Sequence, residues 1–414
     1  MDYQEIRSFL KARDFTMKRY ERKDYDAFLA KVRFQISFPF IHIAGSNGKS
    51  SVAHYLSNIY LASGYHVASF IKPFWGESKE MIHFDGKMIE EGDFARIFNK
   101  YEREIKDSNL SRFEIETFIA LCYFNEKKPD VAIVECGMGG AIDATNILDA
   151  TPLLSIITSV SLEHTSFLGK TLSEIAFQKA GIVKERSLLL LPSLLPKEAK
   201  IVLEREARKK ETSVHYAEAI KNIRYSAPYF HFDYSSYKDL MILSLAKYEA
   251  LDASLAIEAT KLLRTKLVSG EGNIRKALLK EPLPCRLERI RNVYLDGAHN
   301  PEATKTMLES LLPRIQKEKL HVLFACYKDK DAQKELTLLK SVSKDIVLTA
   351  FDSPRARKKE DYPTILSDLP FNSSFELALN NMLIDYPKEP ILVTGSLEFA
   401  YRVSKYLKEE LTHE

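Results

Sequence analysis

Short apolar runs alternate along the chain with stretches in which apolar side chains recur every three or four residues. Residues 38–44 form one such run, ending at Gly45; Val52, Tyr55, Leu56 and Ile59 follow at helical spacing until Gly64 stops the pattern. Residues 67–71, 131–135, 153–160 and 188–191 are further strand-like runs, with helical stretches at 112–127 and 172–184. This βαβ rhythm predicts an α/β fold with a mostly parallel, helix-covered sheet. Two prolines in three positions, Pro282 and Pro284, cannot lie inside a helix and predict a linker at 282–288. A second rhythm follows, with strands at 293–295, 322–325, 346–349 and 391–394 and helices after Pro301, after Asp331 and from Ser396 to Leu407. It predicts a smaller Rossmann-like domain at 289–414, and 1–281 as the larger one. There is no internal repeat.

With 414 residues, 45% hydrophobic and 28% charged, the chain is expected to fold throughout. A formal charge of +3 gives no field that would attract nucleic acid or a membrane surface. Cys122, Cys136, Cys285 and Cys326 form no CxxC pair and are expected to be free thiols. Residues 1–15 lack the apolar core of a signal peptide, and the apolar run at 188–195 is cut by Pro192. A cytoplasmic protein without nucleic-acid or membrane partners is the expectation.

The first candidate chemistry is Gly45-Ser-Asn-Gly-Lys-Ser-Ser51, between a predicted strand and a predicted helix. Glycines at Gly45 and Gly48, with Asn47 between them, let backbone N–H groups curl around phosphate oxygens. Lys49 offers charge to the β- and γ-phosphates of ATP, and a hydroxyl at Ser50 or Ser51 can reach Mg²⁺. The usual spacing is not met in full, because its first Gly would fall at Ile43. Glu135 ends an apolar run, where a carboxylate can hold Mg²⁺ near a phosphate loop. Asp296 and His299 also follow a predicted strand, where open α/β sheets place ligand groups.

The loop Gly45-Ser-Asn-Gly-Lys49 resembles the GTNGK loop of the Mur ligase superfamily. Glu135-Cys-Gly-Met-Gly-Gly-Ala-Ile-Asp-Ala-Thr-Asn146 is similar to the E-x-G-x-G-G-R-x-D-A-T-N segment of folylpolyglutamate synthases and dihydrofolate synthases. Thr158-Ser-Val-Ser-Leu-Glu-His164, Ile175-Ala-Phe-Gln-Lys-Ala-Gly181, Asp296-Gly-Ala-His-Asn-Pro301 and Thr394-Gly-Ser396 resemble further segments of that family, in the same order. The resemblance implies an N-terminal P-loop Mur-ligase-type ATPase domain and a C-terminal glutamate-ligase domain. It implies an ATP-dependent ligase that adds L-glutamate to the γ-carboxyl of a reduced folate through an acyl phosphate, with action on dihydropteroate left open. One or two Mg²⁺ would be bound by Ser51, Glu135, His164 and Lys179, the lysine as a carbamate. Lys49, His164 and Lys179 would be catalytic; Asp252, Arg286 and Asp296 would join the phosphate loop in binding ATP. His299 and Ser396 would hold glutamate, Lys72 and Trp75 would meet substrate, and the protein would act as a monomer that closes over its substrates.

Several positions depart from the family pattern. A metal-binding serine is replaced by Lys72, an arginine by Ala141, an aspartate by Glu163, a glutamate by Gln178 and an adenine-contacting asparagine by Asp252. Lys72 either offsets phosphate charge itself, displacing one metal, or turns to solvent while a hydroxyl such as Ser69 takes the ion. Two alternatives stand beside the folate ligase. One is another Mur-type ligase, for which the 44 residues before Gly45 are too few to form a UDP-binding domain; the other is a degenerate relative that binds without turnover.

Overall fold

The computed structural model describes residues 1–13, 21–72, 76–147, 149–315, 320–363 and 368–413. The helices are α1 (Tyr3–Ala12), α2 (Lys23–Lys31), α3 (Lys49–Ala62), α4 (Glu91–Lys100), α5 (Glu102–Lys106), α6 (Arg112–Lys127), α7 (Thr165–Leu168) and α8 (Leu172–Ala180). They continue as α9 (Lys197–Lys209), α10 (Lys247–Leu262), α11 (Glu271–Leu278), α12 (Pro301–Leu311), α13 (Ala332–Lys340), α14 (Phe375–Asp385) and α15 (Leu397–His413). Their starts follow from local chemistry. Ser111 with Glu114, and Thr171 with Glu174, form reciprocal capping boxes at α6 and α8. Asn300 caps α12 with Pro301 in its first turn.

The chain divides into two units. The first comprises Met1–Lys221, Asp233–Leu240 and Asp252–Lys280; the second comprises Asn222–Phe232, Met241–Leu251 and Glu281–Glu414. In the first, β1 (Phe40–Ala44), β2 (Val67–Phe70), β3 (Ile82–Phe84), β4 (Lys87–Met88), β5 (Val131–Glu135), β6 (Leu154–Ile157), β7 (Leu188–Leu191) and β8 (Ser213–Tyr216) form one sheet. Its order is β4-β3-β2-β5-β1-β6-β7-β8. From β2 to β8 all neighbours are parallel, and only β3 and β4 run antiparallel at one edge. The central strands β1 and β5 are buried at every residue, as continuous apolar runs covered on both faces must be. One face packs on α1, α2, α4 and α6 through Ile6, Phe28, Phe94 and Phe118; the other packs on α8 and α9 through Ile175, Ile182 and Leu203.

The second unit holds β12 (Arg286–Ile290), β13 (Val293–Asp296), β14 (His321–Phe324), β15 (Asp345–Thr349), β16 (Phe371–Asn372) and β17 (Ile391–Thr394), in the order β12-β13-β17-β14-β15-β16. Only β12 is antiparallel to its neighbour. Between them in sequence, β9 (Lys221–Ser226), β10 (Tyr229–Tyr234) and β11 (Tyr237–Leu243) form a three-stranded sheet. Among the described residues no helix is long and apolar enough to cross a membrane, and all four cysteines are buried free thiols.

Three expectations need correction. The segment expected as a linker becomes sheet from Arg286, because the prolines end before it and β12 completes the edge beside β13. The helix expected at 172–184 stops at Ala180, where Gly181 caps it. Residues 222–232 and 241–251 group with the C-terminal unit rather than with the larger one, so that a single cut at 281 does not divide the chain.

Candidate active site

In the first unit, the ends of β1, β2, β5 and β6 converge at the carboxyl edge of the parallel sheet, where open α/β sheets bind ligands. The loop after β1 is anchored by the hydroxyl-rich segment after β6. Thr158 Oγ1 donates to the Asn47 carbonyl at 2.6 Å, Ser159 Oγ accepts from Asn47 N–H at 2.8 Å, and Ser46 Oγ accepts from Ser161 N–H at 2.9 Å. Close approach explains Gly45, since a Cβ there would lie 1.9 Å from Thr158 Oγ1. Gly48 has φ 84°, the left-handed region that glycine enters without penalty. A Cβ on it would also meet Asp252 Oδ1 at 2.3 Å, so that Asp252 of α10 stands against the loop itself.

Lys49 opens α3 and folds back, its Nζ donating to the carbonyls of Gly45 at 2.8 Å and Ser46 at 3.2 Å. Beside it, Ser50 Oγ donates to Glu135 Oε1 at 2.9 Å, and Ser51 next to it is also buried. Glu135 Oε2 accepts from the backbone N–H of Lys72 at 2.9 Å. Burial pushes the Glu135 carboxyl above its ordinary range, against the pull of Lys49 and these two hydrogen bonds. Glu135 and Ser50 offer hard oxygen donors beside a phosphate loop, a set that fits Mg²⁺ when phosphate oxygens and water complete its shell. Among the described residues, no three of His, Cys, Asp and Glu come together to hold a metal without that help.

Lys72 does not turn to solvent. Its Nζ lies 3.9 Å from the centroid of Phe113, at the start of α6. Trp75 lies outside the described residues. His164 lies beyond the end of β6 and caps α7 with φ 44°. Lys179 is fully buried in α8, and its Nζ donates to Glu163 Oε1 at 2.6 Å. Burial pulls the lysine pKa down against the attraction of Glu163. The carboxyl of Glu163, which burial alone would raise, is held low chiefly by Lys179. Ala141 N–H donates to the Gln178 carbonyl at 2.7 Å, closing the glycine turn onto the end of α8, where a Cβ on Gly181 would strike Ala141 Cα at 2.1 Å.

In the second unit, the loops after β13 and β17 lie side by side. Gly395 N–H donates to the Ala298 carbonyl at 3.0 Å. Asp296 is occupied by its own unit: Oδ1 accepts from Ala298 N–H at 2.8 Å, and Oδ2 accepts from Leu287 N–H at 2.9 Å and from Tyr248 OH at 2.5 Å. Burial raises its pKa to about 6. His299 Nδ1 is 2.9 Å from the Gly297 carbonyl, Ser396 is buried before α15, and Arg286 starts β12 within electrostatic reach of Asp296. Sequence reasoning missed Tyr248, the partner of Asp296, and the hydroxyls of the 158–161 segment that carry the phosphate loop. The run Thr-Ser-Val-Ser directly after a strand was the available signal for the latter.

The chain matches the Mur ligase middle domain over residues 43–242 and the Mur ligase glutamate ligase domain over 285–396. It is 30% identical over 391 residues to the dihydrofolate synthase/folylpolyglutamate synthase of Bacillus subtilis, covering 89% of this chain and 90% of the relative. It is 29% identical over 390 residues to the folylpolyglutamate synthase of Lacticaseibacillus casei, with 89% and 90% covered. The apo structure of the L. casei enzyme aligns with TM-score 0.83 at 25% identity over 99% of this chain and 100% of that one. The Mycobacterium tuberculosis folylpolyglutamate synthase with ADP and AMPPCP shares the fold, with TM-score 0.86 at 23% identity and 98% of both chains covered. With these segments in order on this fold, the chain belongs to the folylpolyglutamate synthase and dihydrofolate synthase family of Mur-type ligases.

Proposed function

We propose that this protein is a cytoplasmic, monomeric ATP-dependent ligase that joins L-glutamate to the γ-carboxyl of a reduced folate. The observation that carries the reading is the phosphate loop at the carboxyl edge of the parallel sheet, with Lys49 at the start of α3 and Ser50 on Glu135. Residues 1–281 bind ATP and folate, and residues 289–414 bind glutamate through His299 and Ser396. A folate carboxylate oxygen attacks the γ-phosphorus of ATP, the bond to the bridging oxygen breaks and ADP leaves. The glutamate amine then attacks the acyl phosphate carbon, inorganic phosphate leaves and the nitrogen loses a proton.

In this scheme the backbone N–H groups of residues 45–48 and the Lys49 ammonium bind the triphosphate and stabilise charge on the transferring phosphoryl group. Mg²⁺, held by Glu135 and Ser50, supplies further charge stabilisation when bound. Asp252 contributes to nucleotide binding, while in the second unit Asp296 positions the strand end that carries His299. Where a second ion binds, Lys179 and His164 would hold it, the lysine as a carbamate formed when its neutral amine adds CO₂ and loses a proton. The lowering of its pKa by burial supports this, and Glu163 is the group it must leave.

The test is glutamate-dependent phosphate release from ATP, run with tetrahydrofolate, methylenetetrahydrofolate and dihydropteroate in parallel. Turnover with a reduced folate is expected; saturable nucleotide binding without turnover would replace the ligase by a binding protein. A ¹³C signal from labelled bicarbonate that is absent in Lys179→Ala tests the carbamate.

A further inference from the structure

Lys72 brings a charge to the phosphate site that the mechanism above does not use. It lies two residues beyond β2, and three contacts fix it. Its N–H donates to Glu135 Oε2 at 2.9 Å, its Nζ lies 3.9 Å from the Phe113 centroid, and a Cβ on Gly137 would sit 3.0 Å from Nζ and 2.5 Å from the Phe113 ring. Gly137 is thus open space reserved for the stacked lysine and phenylalanine. An aromatic face attracts an ammonium and not a neutral amine. Burial is the largest influence and with Lys49 lowers the lysine pKa, while Asp143, Glu135 and Glu116 oppose it; the stack on Phe113 is the contact that favours the ammonium.

Glu135 therefore has both oxygens engaged, Oε1 by the Ser50 hydroxyl and Oε2 by the backbone of the residue that carries this ammonium. Its Ser50 side can join one divalent ion, while the other side lies beside a positive charge that repels a second. One Mg²⁺ with Lys49 and Lys72 supplies four positive charges, one fewer than two Mg²⁺ with Lys49 would.

We infer that the Lys72 ammonium is a resident cation of the nucleotide site, and that this chain binds ATP with one divalent ion in place of two. This rests on the reading of residues 45–51 as the ATP site. An ammonium screens phosphate charge without imposing octahedral geometry, so it can replace part of the charge of a second ion but not its templating. The carbamate assigned to Lys179 above would then have no second ion to hold, and Lys179 would keep its ion pair with Glu163 in the nucleotide complex.

The experiment counts Mn²⁺ by electron paramagnetic resonance on the full-length chain saturated with AMPPCP, and measures AMPPCP affinity in EDTA. Wild type is expected to hold one Mn²⁺ per chain. Lys72→Ser should hold two, and Lys72→Met, which keeps the packing on Phe113, should bind AMPPCP in EDTA about tenfold more weakly, the scale of one charged contact. Circular dichroism and urea unfolding establish that the variants fold. Two Mn²⁺ in the wild type overturns the inference without reference to any variant, as does unchanged EDTA affinity in a folded Lys72→Met. Wild type that binds no AMPPCP with or without metal would remove the nucleotide-site reading, and this inference with it.

Discussion

The Lys179 ammonium donates to Glu163 Oε1 at 2.6 Å, and the two side chains are 0% and 5% exposed. Removing one partner of such a pair leaves an uncompensated charge in the core. Glu163→Gln should therefore lose about 3 kcal/mol of stability. Urea unfolding of the ligand-free protein measures it. A loss below about 1 kcal/mol would mean that the pair is open in solution, since that is the most an exposed ion pair usually contributes.

Lys49→Ala should leave the fold intact and lower ligation at least tenfold, about 1.4 kcal/mol of transition-state stabilisation, since the lysine charge is needed most as the phosphoryl group transfers. Ligase activity within about threefold of wild type, at matched circular dichroism, would reassign the phosphate loop.

The two neighbouring serines can be separated by substitution. Ser50 donates to Glu135, the carboxylate that would hold the ion, and Ser51 follows it in α3. Ser50→Ala should raise the Mg²⁺ concentration needed for half-maximal activity about tenfold, and Ser51→Ala by less than about threefold. A reversed order in the Mg²⁺ titration would assign the ion to Ser51.

Glu335 is buried in α13, with Thr304 Oγ1 donating to its Oε2 at 3.1 Å, and burial raises its pKa to about 8. The folded state therefore favours the protonated carboxyl. The contribution of this group is complete below the unfolded value, about 4.5, and is lost as pH rises through about 8. Glu335→Gln removes that loss. Its melting temperature should match wild type near pH 5 and exceed it increasingly towards pH 8.5. A constant difference across that range would show that Glu335 does not titrate in the folded protein.

Where local pattern and tertiary role coincide, the chain can be read directly. The central strands 131–135, 188–191 and 391–394 end where the apolar runs end, because strands covered on both faces have no polar positions inside them. Strand β9, Lys-Asn-Ile-Arg-Tyr-Ser, is exposed at every residue, so no alternation marks it. The prolines at 282 and 284 masked β12, whose place is set by hydrogen bonds to β13 and not by its own composition. In the site, Gly45 to Ser51 and Glu135 were legible because turn chemistry and strand ends are local. The Lys179–Glu163 pair, the Lys72–Phe113 stack and the Tyr248–Asp296 bond depend on how distant segments meet, and spacing alone does not encode that.

The polypeptide passes between its two units at 221/222, 232/233, 240/241, 251/252 and 280/281. This path constrains how the protein can be cut or recombined. A C-terminal fragment begun at 281 would lack Ala246, part of its apolar core, and Tyr248, the hydroxyl on Asp296. Exchanging C-terminal halves with a relative at that point would pair one protein's Asp296 with another's residue at 248. The inheritable module is the C-terminal portion together with the 222–251 region, and a graft that honours it must carry both pieces.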